Sequence, residues 1–271
     1  MTSVASLYVH VPFCRHLCNY CDFYKQKFER PRAQLEEFDR YLTESWKRHE
    51  SLWAESQVTW SPLETVYFGG GTPSLWDEQG AARFAQFFDQ GLSLKPRAEV
   101  TFEVDPGAWT EAGLRAWEEI GVNRYSVGTQ SLDPIYLQVL DRAHDRGETF
   151  ALLERLYGKN YSVDFLLGAP VASSNRDILR ELEELLSYGP KHVSLYILQP
   201  AAGYKLKARI PDDEKVAAEY LAVSAFLVSR GFHHYEVSNF ALPGFEAQHN
   251  LRYWRGQSVA ALGPTATGYL S

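Results

Sequence analysis

Apolar and polar positions along this chain follow two alternating patterns. Short apolar runs rich in β-branched and aromatic residues are separated by longer stretches whose apolar residues recur three and four positions apart. The first pattern is typical of buried strands, and the second is typical of amphipathic helices. The apolar runs predict strands over residues 7–11, 65–68, 99–104, 124–127, 162–167 and 192–198, with a seventh short strand over 234–237. The stretches with three- and four-residue spacing predict helices over residues 35–46, 84–88, 114–120, 135–140, 150–156, 178–186 and 216–228.

Six strand–helix repeats in this order imply a parallel sheet with right-handed crossovers. We therefore expect an α/β fold, an incomplete parallel (βα)6-type barrel with a short C-terminal extension. An open doubly wound sheet is the alternative, since the pattern is the same whether or not the sheet edges close. Residues 1–200 would form the partial barrel and residues 201–271 the extension. In both architectures ligands bind at the carboxyl ends of the strands.

Composition narrows the class of protein. The chain has 271 residues, of which 45% are hydrophobic and 14% aromatic, which is enough to bury a large core. Its net charge of −7 and its lack of a basic block argue against a nucleic-acid partner. No stretch approaches the roughly 20 apolar residues of a membrane span, and the N-terminus lacks the pattern of a secretory signal. We expect a cytoplasmic protein without a membrane span.

Three cysteines, the only ones in the chain, follow the first predicted strand in a C-x3-C-x2-C arrangement: Cys14, Cys18 and Cys21. Such a loop can wrap three thiolates around one [4Fe–4S] cluster and leaves the fourth iron without a protein ligand. An odd number of cysteines in one segment argues against a disulfide framework. A structural zinc would have to recruit a histidine such as His10 or His16, and unreactive buried thiols are the other alternative. The spacing favours the cluster.

A run of glycines, Gly69-Gly70-Gly71-Thr72-Pro73, follows the second predicted strand. It lacks the spacing of a dinucleotide fingerprint and the ending of a phosphate-binding P-loop. Glycines let the backbone approach a ligand closely and direct N–H groups at a carboxylate, although a tight turn without a ligand is the simpler explanation. With the cysteine loop one strand earlier, the run is predicted to hold the amino-acid end of a ligand that chelates the open iron.

Together these motifs resemble the radical S-adenosylmethionine (SAM) superfamily. More narrowly, the segments at residues 8–14, 67–73, 103–106, 126–131 and 141–144 resemble the oxygen-independent coproporphyrinogen III oxidase family. The resemblance covers nearly the whole chain. It implies a cluster that donates one electron to the sulfonium of SAM and so generates a 5′-deoxyadenosyl radical, while the protein holds and orients the cofactor.

The same resemblance implies a set of site residues. Cys14, Cys18 and Cys21 would ligate iron, while Tyr8, Gly70 and Glu103 would contact a first SAM molecule, Glu103 being suited to its ammonium group. Contacts to a second SAM molecule are implied for Tyr20, Gly71, Thr72, Gln130, Arg142, Asp164 and Ile197. Structural alternatives are a surface position for Tyr8, a helix N-cap for Glu103, a partner of Asp141 or Asp145 for Arg142, and a strand-end turn for Asp164.

Two features separate the branches of this family. The oxidases carry a further cysteine two positions after the third, where this chain has Phe23. The segment at residues 235–240 and the H-N-x-x-Y-W segment from His249 to Trp254 resemble the heme-chaperone branch, in which that stretch is associated with heme binding. Imidazole can ligate heme iron and aromatic rings can flank the macrocycle, so His249 is a candidate heme ligand. The alternative is a histidine that caps a loop over packed aromatic residues.

The resemblance therefore favours a heme chaperone that carries heme to an unidentified acceptor protein. The alternative is an oxygen-independent coproporphyrinogen III dehydrogenase, which would decarboxylate porphyrinogen propionates, and a radical enzyme with another substrate is a third possibility. An electron donor such as a flavodoxin or ferredoxin is implied. The chain departs from the family at Thr267, where relatives have histidine, and it stops at Ser271, about where relatives continue into a helical C-terminal domain.

Overall fold

The computed structural model describes residues 2–89, 91–170, 176–199 and 203–271. Its strands are β1 (Thr2–Val11), β2 (Phe13–Cys14), β3 (Gln26–Lys27), β4 (Val58–Gly70), β5 (Leu94–Val104), β6 (Arg124–Gln130), β7 (Asn160–Leu167), β8 (His192–Ile197), β9 (His233–His234), β10 (Asn239–Ala241) and β11 (Ala260–Leu262). Its helices are α1 (Pro31–Glu55), α2 (Glu78–Asp89), α3 (Glu111–Glu119), α4 (Pro134–Val139), α5 (Arg146–Leu156), α6 (Ile178–Leu186), α7 (Asp213–Ser229) and α8 (Gln248–Trp254), with short 3₁₀ turns at Pro73–Leu75 and Lys207–Arg209.

Within the ranges that the structure describes, nine strands form one sheet in the order β11-β1-β4-β5-β6-β7-β8-β10-β9. Every neighbouring pair from β11 to β8 is parallel, whereas β10 runs antiparallel to both β8 and β9. Among the described residues the edge strands β11 and β9 do not pair with each other, so the sheet is not closed. The predicted α/β fold with an incomplete parallel barrel is confirmed.

Alternate side chains of the six central strands face two different environments. Those on the outer face are apolar and pack against the helices, as for Val9, Phe68, Phe102 and Val163, all fully buried. Phe68 packs edge to face on Trp117 with their ring centroids 4.8 Å apart. Burying a side chain of this size stabilises the fold by about 1.5–3 kcal/mol, so this layer of aromatic rings holds the helices on the sheet.

The inner face of the same strands is polar. The strand period of two places the residues before and after each buried apolar residue on the opposite face. Its members contact one another across neighbouring strands, and they include Tyr8, Tyr67, Glu103, Ser126, Asp164 and Ser194. The concave side of the barrel is therefore lined mainly by hydroxyl and carboxyl groups, with a small apolar cluster around Leu166 near the end of β7.

Side-chain caps begin several helices just beyond the carboxyl ends of the strands. Thr110, Asp133, Asp145 and Asp177 each accept a hydrogen bond from the backbone N–H three residues ahead, at the starts of α3, α4, α5 and α6. Asp145 forms a complete capping box with Glu148. Such caps are typically worth about 1 kcal/mol each, and they fix where the chain turns from the sheet into each helix.

The structure differs from the sequence prediction in the last third of the chain. The predicted strand over 234–237 is wrong, because β9 ends at His234 and β10 begins at Asn239. The intervening residues form a tight turn, in which the Tyr235 N–H donates to the Asn239 carbonyl at 3.2 Å and the Ser238 N–H to Glu236 Oε1, also at 3.2 Å. The parallel edge strand β11 and the helix α8 were not predicted.

The boundary predicted between residues 200 and 201 lies outside the described residues. Beyond it, β10 and β11 join opposite ends of the same sheet, and the division into barrel and extension stays a prediction. None of the helices in the described ranges is both long and apolar enough to cross a membrane.

Candidate functional site

The cysteine loop lies between β1 and α1, at the carboxyl end of the sheet. Cys14 is buried at the end of β2, while Cys18 and Cys21 are half-buried in the loop that follows. The loop folds back on itself because β2 and β3 pair: the Gln26 N–H donates to the Pro12 carbonyl at 2.7 Å and the Phe28 N–H to the Cys14 carbonyl at 2.9 Å. All three thiols are thus confined to one short closed segment.

Two residues between the first and second cysteines fasten this loop to the rim of the sheet. Arg15 Nη1 donates to the Gly107 carbonyl at 2.9 Å, and His16 Nε2 lies 2.9 Å from Asp141 Oδ1. On the other side, the His10 ring contacts the Tyr24 carbonyl at 3.0 Å. The loop is therefore held by contacts to β1 and to the connections that follow β5 and α4.

The three thiols share one electrostatic environment. Burial raises the pKa of Cys14 to about 11, a hydrogen bond from Thr72 opposes that rise, and the charges of Cys18 and Cys21 add to it. Among the described residues, no three His, Cys, Asp or Glu side chains converge as ligands of one metal ion would. A cluster does not require such convergence, because the ligands of a single ion surround one point whereas each thiolate of a cubane binds a different iron. The three cysteines supply soft thiol donors grouped in one loop, which is the donor set of iron–sulfur clusters. These residues therefore fit a [4Fe–4S] cluster.

The glycine run packs directly against the backbone that leads into the cysteine loop. Gly70 has φ of +114°, and a Cβ atom there would lie 2.6 Å from the His10 ring. A Cβ atom on Gly71 would lie 2.7 Å from the Phe13 carbonyl oxygen. Both N–H groups already have protein partners, since Gly70 donates to Glu103 at 3.1 Å and Gly71 to the Val11 carbonyl at 2.8 Å. The run seats the loop and orients Glu103, and its contact with a ligand stays a prediction.

Glu103 lies on the inner face of β5 with both carboxylate oxygens engaged. Oε1 accepts a hydrogen bond from the Tyr67 hydroxyl at 2.8 Å, and Oε2 accepts the one from Gly70. Burial raises the pKa of Glu103 to about 7, the Tyr67 hydrogen bond opposes the rise, and the nearby Asp164 charge adds to it. A positive charge beside this carboxyl group would stabilise its ionised form and lower its pKa again.

Tyr8, Tyr67 and His249 form an aromatic wall beside Glu103. The ring centroids of Tyr8 and Tyr67 are 6.1 Å apart, and those of Tyr67 and His249 are 5.3 Å apart. His249 is only 2% exposed, and its Nδ1 lies 2.9 Å from the Thr65 hydroxyl. Burial, assisted by the Arg124 charge, lowers the pKa of His249 to about 3. Its imidazole is therefore neutral, and its Nε2 has no hydrogen-bond partner among the described residues.

Most of the residues predicted to contact a second SAM molecule lie along the rim of the sheet. Thr72 and Gly71 lie beside the Cys14 segment, and Tyr20 is a hydrogen-bond partner of Arg142 close to Cys18. Gln130 ends β6 with φ of +62°, and Ile197 ends β8 with 46% of its surface exposed. Asp164 instead lies within β7 on the inner face, where it accepts hydrogen bonds from Ser126 at 2.9 Å and Ser162 at 3.4 Å.

Three residues of this site were not predicted as part of it: Tyr67, Asp105 and, as a neighbour of Tyr8, His10. Tyr67 lies opposite Tyr8 in the β1–β4 register, and the Tyr8 hydroxyl lies 3.1 Å from His10 Nδ1. Asp105 receives a hydrogen bond from Arg142. The alternation of side chains along a strand could have identified them. Counted in steps of two from Tyr8 and Glu103, it puts residues 8, 10, 67, 103 and 105 on one face of the sheet.

Comparison with known proteins finds similar sequences over most of this chain. Residues 8–182 match the Radical SAM superfamily. The chain is 34% identical to the heme chaperone HemW of Synechocystis sp., covering 97% of this chain and 65% of that protein. It is 31% identical to the heme chaperone HemW of Lactococcus lactis, covering 98% of this chain and 70% of that one.

A solved structure shows the same fold over almost the entire chain. The coproporphyrinogen III oxidase HemN from Escherichia coli, described as a radical SAM enzyme, matches with a TM-score of 0.81 at 21% identity, covering 98% of this chain and 64% of that one. The chain spans about two thirds of the length of its curated relatives, 65% in the Synechocystis protein and 70% in the Lactococcus protein. By the match of residues 8–182 and by its identity to the HemW proteins, the chain belongs to the radical SAM superfamily and, within it, to the HemW-like family.

Proposed function

We propose that this protein binds heme and passes it to an acceptor protein, and that it holds a [4Fe–4S] cluster and SAM at a radical SAM-type site. The observation that carries the proposal is 34% identity over 97% of the chain to a protein named as a heme chaperone. Phe23 supports it, because this side chain, 70% exposed, stands where the oxidases have a further cysteine.

Cys14, Cys18 and Cys21 would hold three irons of the cluster and leave the fourth open. Arg15 and His16 fix the first half of the loop on the rim, and the β2–β3 pairing closes its second half. When bound, the cluster and SAM would supply one-electron chemistry at the sulfonium, with the electron coming from a donor such as a flavodoxin or ferredoxin. The loop's task is to present three thiolates without rearrangement.

Glu103 would receive the ammonium group of the first SAM molecule. Its two hydrogen bonds, from Tyr67 and Gly70, orient the carboxylate before the ligand arrives. A carboxyl group with a pKa of about 7 releases its proton when a cation binds beside it, so cation binding is coupled to proton release. Tyr8 and Gly70 would complete this contact, and a second molecule would meet Tyr20, Gly71, Thr72, Gln130, Arg142, Asp164 and Ile197.

His249 is the proposed heme ligand. Its imidazole is neutral and its Nε2 has no hydrogen-bond partner within the described ranges, which is the chemistry that iron ligation requires. The ring is buried, however, so ligation requires α8 to move away from the sheet. This helix is short, and its first two N–H groups, those of Gln248 and His249, donate to Glu99 at 3.1 and 2.9 Å. Trp254 at its far end is 60% exposed and offers a surface for the macrocycle.

Heme retention tests the proposal. The protein is reconstituted anaerobically, mixed with one equivalent of hemin and passed through a gel-filtration column, and the heme that co-elutes is quantified. We expect about one heme per chain, with a Soret band that changes in His249→Ala. His192→Ala is the matched control, because His192 is also a buried histidine. Burial lowers its pKa, and its Nδ1 has no hydrogen-bond partner in the described part of the chain.

The outcomes separate the function from the ligand assignment. If the unaltered protein elutes without heme, the chaperone proposal fails. If His249→Ala retains heme with an unchanged spectrum, the proposal stands and only the assignment of His249 is wrong. A result in which His192→Ala alone changes the Soret band would assign the heme ligand to His192 instead.

A further inference from the structure

Arg142 and Asp105 form an ion pair on the rim of the sheet that the proposed binding roles do not account for. Arg142 Nη2 donates to Asp105 Oδ2 at 2.5 Å and to the Gly128 carbonyl at 3.1 Å. The other oxygen of Asp105 accepts the Gly107 N–H at 3.0 Å. The Arg142 side chain is only 13% exposed. The pair is thus a fixed arrangement of one positive and one negative charge at low exposure.

This pair lies directly beneath the first half of the cysteine loop. Arg15 binds the carbonyl of Gly107, two residues after Asp105, and His16 contacts Asp141, the residue before Arg142. Arg15 and His16 lie between Cys14 and Cys18, so both ends of the ion pair are clamped to that part of the loop.

Arg142 also contacts the second half of the cysteine loop. Its side chain is a hydrogen-bond partner of Tyr20, which lies between Cys18 and Cys21. The two charges of the pair are therefore fixed against the loop that carries the three thiols, and they act with opposite signs on any negative charge added there.

Reduction of a [4Fe–4S] cluster from the 2+ to the 1+ state adds one electron and one unit of negative charge. Charge and hydrogen bonding around the sulfurs are among the factors that set the potential of such clusters. A fixed guanidinium stabilises the reduced state, whereas a fixed carboxylate opposes it, and low exposure limits solvent screening of both.

We propose that the Asp105–Arg142 ion pair sets the reduction potential of the cluster on Cys14, Cys18 and Cys21, Arg142 raising it and Asp105 lowering it. This inference rests on the proposed function, because it requires the cluster. It makes Arg142 and Asp105 positioning residues that act on the cluster through their charges, in addition to any contact that Arg142 makes with SAM.

The test is a redox titration of the reconstituted protein without SAM, with dithionite as reductant and the EPR signal of the reduced cluster as readout. Arg142→Gln should lower the equilibrium constant for reduction about tenfold, which is about 59 mV for one electron. Asp105→Asn should raise it by a similar factor, and the double variant should return close to the unaltered protein. Arg142→Lys, which keeps the charge, should change it least.

Iron and sulfide content, measured for every variant, separates a change in potential from loss of the cluster. Glu118→Gln and Arg155→Gln are matched controls, because they remove the members of another partly buried ion pair, 3.2 Å apart between α3 and α5. These controls should leave the potential unchanged.

Opposite shifts in Arg142→Gln and Asp105→Asn support the inference. Shifts of the same sign, unchanged potentials, or a drop in Arg142→Lys as large as in Arg142→Gln would overturn it, since a purely structural role does not depend on the sign of the charge. If the unaltered protein assembles no cluster, it is the proposed function that fails, and that result is visible in the iron content alone.

Discussion

The hydroxyl of Tyr67 donates a 2.8 Å hydrogen bond to Oε1 of Glu103 and so joins β4 to β5 on the inner face of the barrel. Gly70, three residues after Tyr67, donates to the other carboxylate oxygen. The carboxylate is therefore held in one orientation beside the cysteine loop by two donors from a single strand. Such preorganisation lowers the cost of binding a cation.

Removing the charge of Glu103 should weaken SAM binding. A hydrogen bond to a charged group contributes about 1.5–3 kcal/mol, so Glu103→Gln should raise the dissociation constant at least about tenfold. Equilibrium dialysis of the reconstituted protein with labelled SAM measures this.

Tyr67→Phe should have a smaller effect on SAM binding, about threefold, because it removes only the orientation of the carboxylate. Tyr125→Phe is its matched control, since the Tyr125 hydroxyl also donates to a glutamate, Glu118, at 2.6 Å. Unchanged affinity in Glu103→Gln would show that Glu103 does not receive the ammonium group.

The stability of the ligand-free protein should depend on the ionisation of Glu103. Its pKa rises from 4.5 to about 7 on folding, so the folded protein binds more protons than the unfolded chain between these values. The free energy of unfolding should therefore fall as the pH rises from about 4.5 to about 7, by at most about 1.4 kcal/mol per pH unit from this group. Urea denaturation across this range measures the slope, and Glu103→Gln should flatten it.

Glu118 provides a control, because folding shifts its pKa in the direction opposite to that of Glu103. Burial opposes the change, but hydrogen bonds from Tyr125, Lys159 and Arg155 lower the pKa of Glu118 from 4.5 to about 2. Its contribution is present above about pH 4.5 and is lost as the pH falls towards 2. Glu118→Gln should thus leave the slope between pH 4.5 and 7 intact. An equal slope in Glu103→Gln and the unaltered protein would rule out the raised pKa.

Removing His249 should destabilise the fold. Its ring packs against Tyr67 and Tyr253, and its Nδ1 contacts the Thr65 hydroxyl at 2.9 Å. His249→Ala leaves a cavity and an unpaired polar group, which together should cost about 2–4 kcal/mol of unfolding free energy. Trp254→Ala, in the same helix but on an exposed residue, should cost less than about 1 kcal/mol. Equal costs in the two variants would mean that His249 is more accessible than the structure shows.

Replacing one cysteine should prevent assembly of a complete cluster. Serine is a harder and less favourable ligand for iron than a thiolate, so Cys18→Ser should retain less than about half of the iron of the unaltered protein and lose its cluster absorbance. Leu17→Ser is the control, because it makes the neighbouring, partly exposed position polar and keeps all three thiols. Full iron content in Cys18→Ser would contradict the ligand assignment.

Local sequence patterns predicted the central strands of the fold and the cysteine loop of the candidate site. Buried apolar residues such as Val9 and Phe102 recur with the strand period, which located all six central strands, and the cysteine spacing is visible within eight residues. The strand over 234–237 was misplaced, because the hydrogen bond between Tyr235 and Asn239 that forms the turn leaves no mark in the apolar pattern.

The sequence alone did not predict contacts between segments that lie far apart along the chain. The Tyr67–Glu103 bond depends on the register of two strands 36 residues apart, and the Arg142–Asp105 pair joins residues 37 positions apart. The burial of His249 depends on where α8 meets β4. A motif identifies the residue type and its chemistry, whereas only the fold determines which way its side chain faces.

The central proposal is that this chain carries heme rather than converting porphyrinogens, and product formation from coproporphyrinogen III tests it most directly. The reconstituted protein is incubated anaerobically with coproporphyrinogen III, SAM and dithionite, and the porphyrins are separated by chromatography after oxidation. We predict that coproporphyrin is recovered unchanged from a sample whose iron content shows a full cluster. Conversion to protoporphyrin, with release of carbon dioxide, would contradict the account and identify the chain as a dehydrogenase.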